Sequence, residues 1–235
     1  SIVATTVVAR AYHDLADAIN RMLPKNEGEA ADRRETRVAG EPDDGSEDFL
    51  TVRANAAGYL KAINEEDLLK LAERKDIVIR ALYRPGDFVF SRTALAHYRP
   101  GQLEDAEVGD EIRKGFLLGS RRTPLQDIEF SITQLVEVAL RALSPGINDP
   151  FTAMNCLDRL GEAVSLIADR PFPSTQRYDS HGQLRLVLDV TSFHGIMDAA
   201  FHQIRQNATT KVDVTIRLLE VLAMLAETSR TSEQR

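Results

Sequence analysis

Two helical patterns joined by a short loop constrain the fold of this chain more than any other feature of the sequence. Apolar residues recur at helical spacing over residues 124–143 and again over residues 150–169. The loop between them contains Pro145 and Gly146, and proline disfavours helical geometry in the residue before it. The sequence therefore predicts two helices that form a hairpin.

Both helices have a recognisable start. Thr123 and Asp149 are residue types that favour the N-cap position, and each stands directly before a proline, which favours the first helical position. Gln126 completes a capping box with Thr123. We therefore predict that the first helix spans Pro124 to Leu143 and that Asp149 caps the second.

The rest of the chain divides into regions of different character. An amphipathic helix is predicted over residues 1–23, and the acidic, aromatic-free segment 24–48 is predicted to be a flexible linker. Short β-prone runs predict a small barrel- or sandwich-like subdomain over residues 49–122. Helical patterns predominate over residues 123–235, with a turn and a strand predicted within 178–190. The fold class is therefore predicted to be α+β, with a β-rich subdomain followed by a mostly α-helical bundle.

Composition and missing motifs exclude several functional classes. The 29 Lys and Arg residues against 36 Asp and Glu residues give a net charge of −7, which disfavours binding to nucleic acid. No apolar run approaches the roughly 18–20 residues that cross a bilayer. The single Cys156 favours a reducing compartment. The sequence has no Walker phosphate loop, dinucleotide fingerprint or H-E-x-x-H pair, so familiar nucleotide enzymes and zinc proteases lose support.

Seven polar residues at the two predicted helix starts are candidate ligand-binding residues. Free N–H groups and the helix dipole favour anions at such positions, and neighbouring arginines would strengthen that preference. The candidates are Arg121, Arg122, Gln126, Asp127, Asn148, Asp149 and Thr152. A structural interpretation is also open, in which Asp149 caps its helix and the arginines pair with Asp127 or Glu129.

Other reactive side chains give weaker patterns. His194, Asp198 and His202 follow one another at four-residue intervals, which is a metal-like spacing, but eight residues of helix separate the outer pair by about 12 Å. Cys156 lies on an apolar stripe and is predicted to fill core space. We assign no catalytic residue, metal ion or cofactor from the sequence.

Four sequence segments resemble a known family. SPGINDPFTA at residues 144–153 is similar to the signature of bacterial predicted membrane proteins of the domain of unknown function 2254 family. GYLKAI at 58–63, RPGDFV at 84–89 and the stretch from Arg121 to Leu140 resemble the same family in the same order. RPGD itself predicts a tight turn that joins the flanking strands in a hairpin. The resemblance implies four N-terminal transmembrane helices outside this sequence, followed by a soluble region similar to this chain. It carries over no catalytic residue.

These observations lead to a functional hypothesis with two alternatives. We expect a non-enzymatic assembly or regulatory domain of a bacterial inner-membrane protein, on the cytoplasmic side, whose helix 1–23 continues from a missing membrane region. Expected partners are those transmembrane helices and further copies of the chain in a homo-oligomer, without nucleic acid. One alternative is a ligand-sensing or enzymatic domain that binds an unidentified small anion at the starts of helices 123–143 and 150–169. The other is an adaptor for a different protein.

Overall fold

The predicted α+β class is confirmed, and the helices and strands sort into two units. The computed structural model describes residues 2–25, 49–99 and 106–232. The helical unit comprises Ser1–Asn26, Ile128–Phe172 and Thr191–Arg235. The sheet unit comprises Glu27–Asp127 and Pro173–Val190. The predicted linker 24–48 lies outside the described residues, apart from its first two.

The described part of the chain contains seven helices and eight strands. The helices are α1 (Ile2–Met22), α2 (Glu65–Lys75), α3 (Ala106–Lys114), α4 (Ile128–Leu143), α5 (Pro150–Ala168), α6 (Phe193–Asn207) and α7 (Val212–Ser232). The strands are β1 (Leu50–Arg53), β2 (Gly58–Ile63), β3 (Val78–Ala81), β4 (Phe88–Val89), β5 (Ala94–Arg99), β6 (Phe116–Gly119), β7 (Gln176–Tyr178) and β8 (Leu184–Val187).

The helical unit is built from apolar stripes on five helices. α4 and α5 pack as the predicted hairpin, α1 packs on both of them, α6 packs on α4, and α7 packs on α5. Leu15, Leu135, Leu157 and Leu160 are fully buried in the shared core. Because buried apolar residues recur every three or four positions along these helices, each helix presents one continuous apolar face to its neighbours.

The start of α4 differs from the prediction. The helix begins at Ile128 rather than at Pro124, although it ends at Leu143 as predicted. The side chain of Gln126 bonds to the backbone of Ile63, so it is not available for a capping box. The hydroxyl of Thr123 is buried and has no hydrogen-bond partner among the described residues. The capping-box prediction was therefore wrong, because long-range bonds to Ile63 use the Gln126 side chain that it required.

The sheet unit contains two sheets. One has five strands in the order β1-β5-β3-β8-β7, and the other has three in the order β4-β2-β6. Every neighbouring pair is antiparallel except β3 and β8, in which Ile79 lies opposite Leu186. Leu60, Leu68 and Leu95 are fully buried in the core of this unit.

Residues 173–190 belong to the sheet unit although the helical unit surrounds them in sequence. The sequence-based division placed these residues within the bundle region 123–235. In the structure, β8 extends the five-stranded sheet through β3, and β7 forms its edge. The chain thus leaves the helical unit after Phe172, adds two strands to the five-stranded sheet, and returns at Thr191.

Candidate functional site

The seven candidate residues lie in two places, and each place is described within its own unit. Arg121, Arg122, Gln126 and Asp127 belong to the sheet unit, where Arg122 and Asp127 lie next to the turn formed by Arg84–Asp87. Asn148, Asp149 and Thr152 belong to the helical unit, in and after the loop that joins α4 to α5. We call residues 144–150 the SPGINDP loop.

Arg122 and Asp127 form a two-pronged ion pair. Nε of Arg122 donates to one carboxylate oxygen at 2.5 Å, and Nη2 donates to the other at 3.0 Å. Asp127 is only 5% exposed, so its charge is compensated within the protein rather than by water. The pairing that the structural interpretation expected for Arg122 is present.

The RPGD turn lies against this ion pair. Gly86 has φ +105°, and a side chain there would collide with the carboxylate of Asp127. The backbone N–H of Gly86 donates to the carbonyl of Leu60 at 2.8 Å, and the N–H of Arg84 donates to the Asp87 carboxylate at 2.9 Å. A tight turn is therefore confirmed, and glycine is required there by both conformation and space.

The strands on either side of the RPGD turn do not pair with each other. β3 belongs to the five-stranded sheet, and β4 belongs to the three-stranded sheet. The prediction that the turn closes a hairpin was therefore wrong. The turn instead passes the chain from one sheet to the other.

Gln126 extends the hydrogen bonding at the end of β2. Its amide oxygen accepts from the N–H of Ile63 at 2.9 Å, and its amide nitrogen donates to the Ile63 carbonyl at 3.3 Å. Arg121 is exposed. Three of the four candidates in the sheet unit thus bond to other parts of that unit, and anion binding at these positions stays a prediction.

The SPGINDP loop is a tightly bonded turn. The N–H groups of Ile147 and Asn148 both donate to the carbonyl of Ser144, and the N–H of Asp149 donates to the carbonyl of Ala142. Asn148 has φ +49°, a left-handed conformation that asparagine tolerates better than most residues. The loop therefore has one well-specified backbone path.

Asp149 caps α5 as predicted. Its carboxylate accepts from the N–H of Thr152 at 3.1 Å and from the Thr152 hydroxyl at 2.7 Å. These two hydrogen bonds hold the pKa of the Asp149 carboxyl below its usual range. The α5 start is thus occupied by a side chain of the protein.

Asn148 joins the loop to the start of α7. Nζ of Lys211 donates to the Asn148 side-chain oxygen at 2.5 Å. The neighbouring apolar residues point outward, since Ile147 is 55% exposed and Phe151 is 77% exposed. The sequence interpretation considered only the polar atoms here and missed the two exposed apolar side chains, Ile147 in the loop and Phe151 directly after it.

The metal-like histidine spacing does not bring three ligands together. Nε2 of His194 lies 3.4 Å from the Asp198 carboxylate, and both side chains are largely exposed. The ring of His202 lies instead within hydrogen-bond distance of Arg205 and Gln206. This arrangement is a surface ion pair next to a separate histidine.

A different group, which the sequence did not predict, lies in the sheet unit. Polar atoms of Glu73, Asp179 and His181 lie within 4.8 Å of one another. The Asp179 carboxylate accepts from the N–H groups of His181 and Gln183, each at 2.9 Å, and from Nε of Arg185 at 2.8 Å. Its oxygens are therefore already engaged, so we assign no metal to this group.

Cys156 occupies the core of the helical unit, as predicted. Its side chain is fully buried, and burial raises the pKa of the thiol to about 12. A nucleophilic cysteine requires a lowered pKa, because the thiolate form is then populated at neutral pH. The environment of Cys156 favours packing instead.

Comparison with known proteins places the chain among uncharacterized relatives. It is 29% identical over 231 residues to the uncharacterized proteins Mb1321c of Mycobacterium bovis and Rv1290c of Mycobacterium tuberculosis. The alignment covers 97% of this chain but 43% of each relative, so the chain spans less than half of their length. No solved structure is significantly similar.

Family membership follows from a match over nearly the whole chain. The model of the predicted membrane protein family DUF2254 matches residues 1–224, which include the GYLKAI, RPGDFV and SPGINDPFTA segments. Among residues 2–25, 49–99 and 106–232, no helix is both long and apolar enough to cross a membrane. The chain belongs to DUF2254, a family of predicted membrane proteins.

Proposed function

We propose that this chain is a non-enzymatic assembly module of a bacterial inner-membrane protein, on the cytoplasmic side, with α1 continuing from the membrane helices. The observation that carries the proposal is the attachment of α1 to the rest of the helical unit. A module that organises membrane helices needs a firm connection to them. The contacts of α1 supply such a connection.

Arg170 holds the C-terminal end of α1. Its Nη1 donates to the carbonyls of Ile19 and Leu23 at 3.2 and 3.1 Å, and Nη2 donates to the Asn20 side chain at 2.6 Å. The Ile19 carbonyl also accepts from the Leu23 N–H, whereas the carbonyls after it at a helix end lack intrahelical donors, and a cation there interacts favourably with the helix dipole. One guanidinium therefore satisfies both requirements.

Apolar packing fixes the same helix along its length. Leu15 and Ile19 are fully buried, and α1 contacts both α4 and α5. The guanidinium of Arg159 on α5 lies 5.0 Å from the centre of the Tyr12 ring, which is a cation–π geometry. A displacement of α1 would consequently displace the hairpin.

The bonding of the family segments also supports a structural role. Arg122, Asp127 and Gln126 bond within the sheet unit, and Asp149 caps a helix. These side chains fix turns and helix starts. Their bonds favour a module that acts through its shape over one that transforms a substrate.

The test compares the complete polypeptide with a form that lacks residues 1–235. Both would be purified in lipid nanodiscs and in detergent, and their masses measured by mass photometry. We expect the complete polypeptide to form a defined oligomer and the shortened form to give a smaller one. The same oligomer number with and without these residues would contradict the proposal.

A further inference from the structure

We infer that α7 is a self-association surface, which packs against α7 of a second copy of this chain with the two helices parallel. This inference rests on the proposed function and names its partner and its surface. It depends on the exposed face of α7, on the charges beside that face and on the SPGINDP loop at its end.

Two apolar seams run along α7. The inner seam is buried against the helical unit and consists of Val214, Leu218, Val221 and Leu225. The outer seam is exposed and consists of Val212, Ile216, Leu219, Ala223 and Ala226. The outer residues alternate at intervals of four and three, which is the heptad spacing of a helix that packs along another helix.

The exposure of the outer seam is unusual for an outer helix face. Val212 is 71% exposed, Ile216 is 50% exposed and Leu219 is 61% exposed. A surface helix normally carries charged and polar residues opposite its buried stripe. Apolar residues on both faces are typical of a helix that is buried on both sides in its assembly.

The inner seam holds α7 firmly in place. Val221 packs so closely over Gly161 of α5 that a side chain at Gly161 would lie 2.6 Å from it. Arg217 donates to the Asp158 carboxylate at 2.6 Å. The outer seam is thus presented by a helix with a fixed orientation, which lowers the entropy lost on association.

The SPGINDP loop extends the apolar surface at the start of α7. The Lys211–Asn148 hydrogen bond joins the residue before Val212 to this loop. Ile147 in the loop and Phe151 directly after it are more than half exposed. Large exposed aromatic side chains are enriched at protein interfaces. A continuous surface with the outer seam would give the SPGINDPFTA segment a role in association, in addition to the helix cap formed by Asp149.

The charges beside the seam favour a second copy in parallel orientation. Asp213, Glu220 and Glu227 line one edge at seven-residue intervals, with Glu220 paired to Arg217 of the same helix, and uncharged Thr215 and Leu222 lie on the other edge. Two parallel copies would place each acidic edge opposite the uncharged edge of the partner. Antiparallel copies would place acidic edges opposite each other, which is destabilising.

The area indicates a weak pair. The outer seam extends from Val212 to Ala226, a rise of about 21 Å along the helix, whereas a standard interface buries about 800 Å² on each partner. A single helix face with a short loop is smaller than this, so we expect a dissociation constant of roughly tens of micromolar for the chain in solution. Attachment to a shared membrane would raise the effective concentration of the partners.

Engineered cysteines test the arrangement directly, because buried Cys156 does not compete for oxidation. In the chain carrying Val212→Cys, we expect mild oxidation to produce a disulfide-linked dimer. Leu166→Cys, at a 42% exposed position on α5, is the matched control and is expected to form no disulfide-linked dimer. Equal cross-linking of the two variants would overturn the inference. Preferential linkage of Val212→Cys to Ala226→Cys in a mixture would overturn the parallel orientation.

A charge placed in the seam gives a second test. We expect Leu219→Lys to raise the dissociation constant at least about tenfold in sedimentation velocity, with an unchanged circular dichroism spectrum and melting temperature. Leu166→Lys is expected to leave association unchanged. A wild-type chain that is monomeric up to about 1 mM, or a Leu219→Lys chain that dimerises equally well, would overturn the inference.

The two proposals fail in different ways. If removal of residues 1–235 reduces the oligomer of the complete polypeptide while Leu219→Lys has no effect, assembly uses another surface and the α7 inference is wrong. If that removal leaves the oligomer unchanged, the proposed function is wrong.

Discussion

The helical unit and the sheet unit are held together by different interactions. Of the five buried polar or charged residues in the described chain, four lie in the sheet unit: Asp127, Arg177, Asp179 and Arg185. The helical unit has only Ser131 in this class among its described residues. The difference shows that the interior of the helical unit is almost entirely apolar, whereas buried charged side chains form part of the interior of the sheet unit.

Most of the buried charged residues of the sheet unit lie in the segment 173–190, which joins this unit after the α4–α5 hairpin. Arg177 donates to Glu65 of α2 at 2.8 Å, and Arg185 donates to Asp179 at 2.8 Å and to Asp76 at 2.7 Å. This segment provides two short strands, and it buries Leu186 and Leu188 in the core of the sheet unit. Directional ion pairs add to this apolar packing and help to specify the position of the segment in the sheet.

The largest expected effect is a cavity in the helical unit. Leu160 is fully buried on α5, so we expect Leu160→Ala to lower the free energy of unfolding by about 4 kcal/mol. Leu166→Ala, which is 42% exposed on the same helix, is expected to cost less than about 0.5 kcal/mol. Urea unfolding would give both values. In the Leu160→Ala variant, hydrogen exchange should accelerate more in the helical unit than in the sheet unit. A larger acceleration in the sheet unit would contradict the division of the chain into these two units.

The buried ion pair of the sheet unit should follow closely. Asp179→Asn removes the charge that compensates Arg185 in a buried site, and we expect a loss of about 3 kcal/mol. The control is Asp76→Asn, since Asp76 pairs with the same arginine but its side chain is 83% exposed, and we expect a loss below about 1 kcal/mol. Similar losses in urea unfolding would show that burial does not decide the strength of these bonds.

Close packing between helices gives a smaller effect. In Gly161→Ala, the new methyl group would overlap Val221, which we expect to cost roughly 1–2 kcal/mol after allowance for the better helix propensity of alanine. In a Val221→Ala background the same substitution should be neutral or stabilising. A thermodynamic cycle of the four proteins measures this coupling, and additive effects would refute it.

The cap of α5 gives the smallest effect and a pH dependence. We expect Asp149→Ala to cost about 1 kcal/mol at neutral pH. Since the pKa of Asp149 is lowered on folding, its contribution is present above the unfolded pKa of about 3.9 and is lost as the pH falls through the folded value. Unfolding curves of the two proteins should therefore converge below about pH 4. A constant difference down to pH 2 would indicate that Asp149 acts through packing alone.

Local signals account for the parts of the fold that the sequence predicted. The α4–α5 hairpin and the Asp149 cap depend on residues within a few positions of each other, so periodicity and cap preferences suffice to predict them. The start of α4 was predicted wrongly because Gln126 bonds to Ile63, on a strand far away in the sequence. The β3–β8 pairing could not be predicted for a similar reason, since two parallel strands that are far apart in the chain leave no local sequence signal.

The candidate site was predictable to a similar degree. The capping bond between Asp149 and Thr152 and the pairing of Arg122 with Asp127 join residues three and five positions apart. The clamp of Arg170 on α1 and the bond of Lys211 to Asn148 join distant segments, and no pattern in the sequence indicates them. Exposure of Ile147 and Phe151 also becomes visible only once the loop is folded.

Hydrogen exchange of α1 tests the central claim that this helix is fixed to the helical unit. In the intact chain, we predict that amides from Tyr12 to Met22 exchange about as slowly as those of α4, and that Arg170→Ala accelerates exchange in α1 while α4 stays protected. Exchange of these amides at the rate of an unstructured peptide in the wild-type chain would contradict the account.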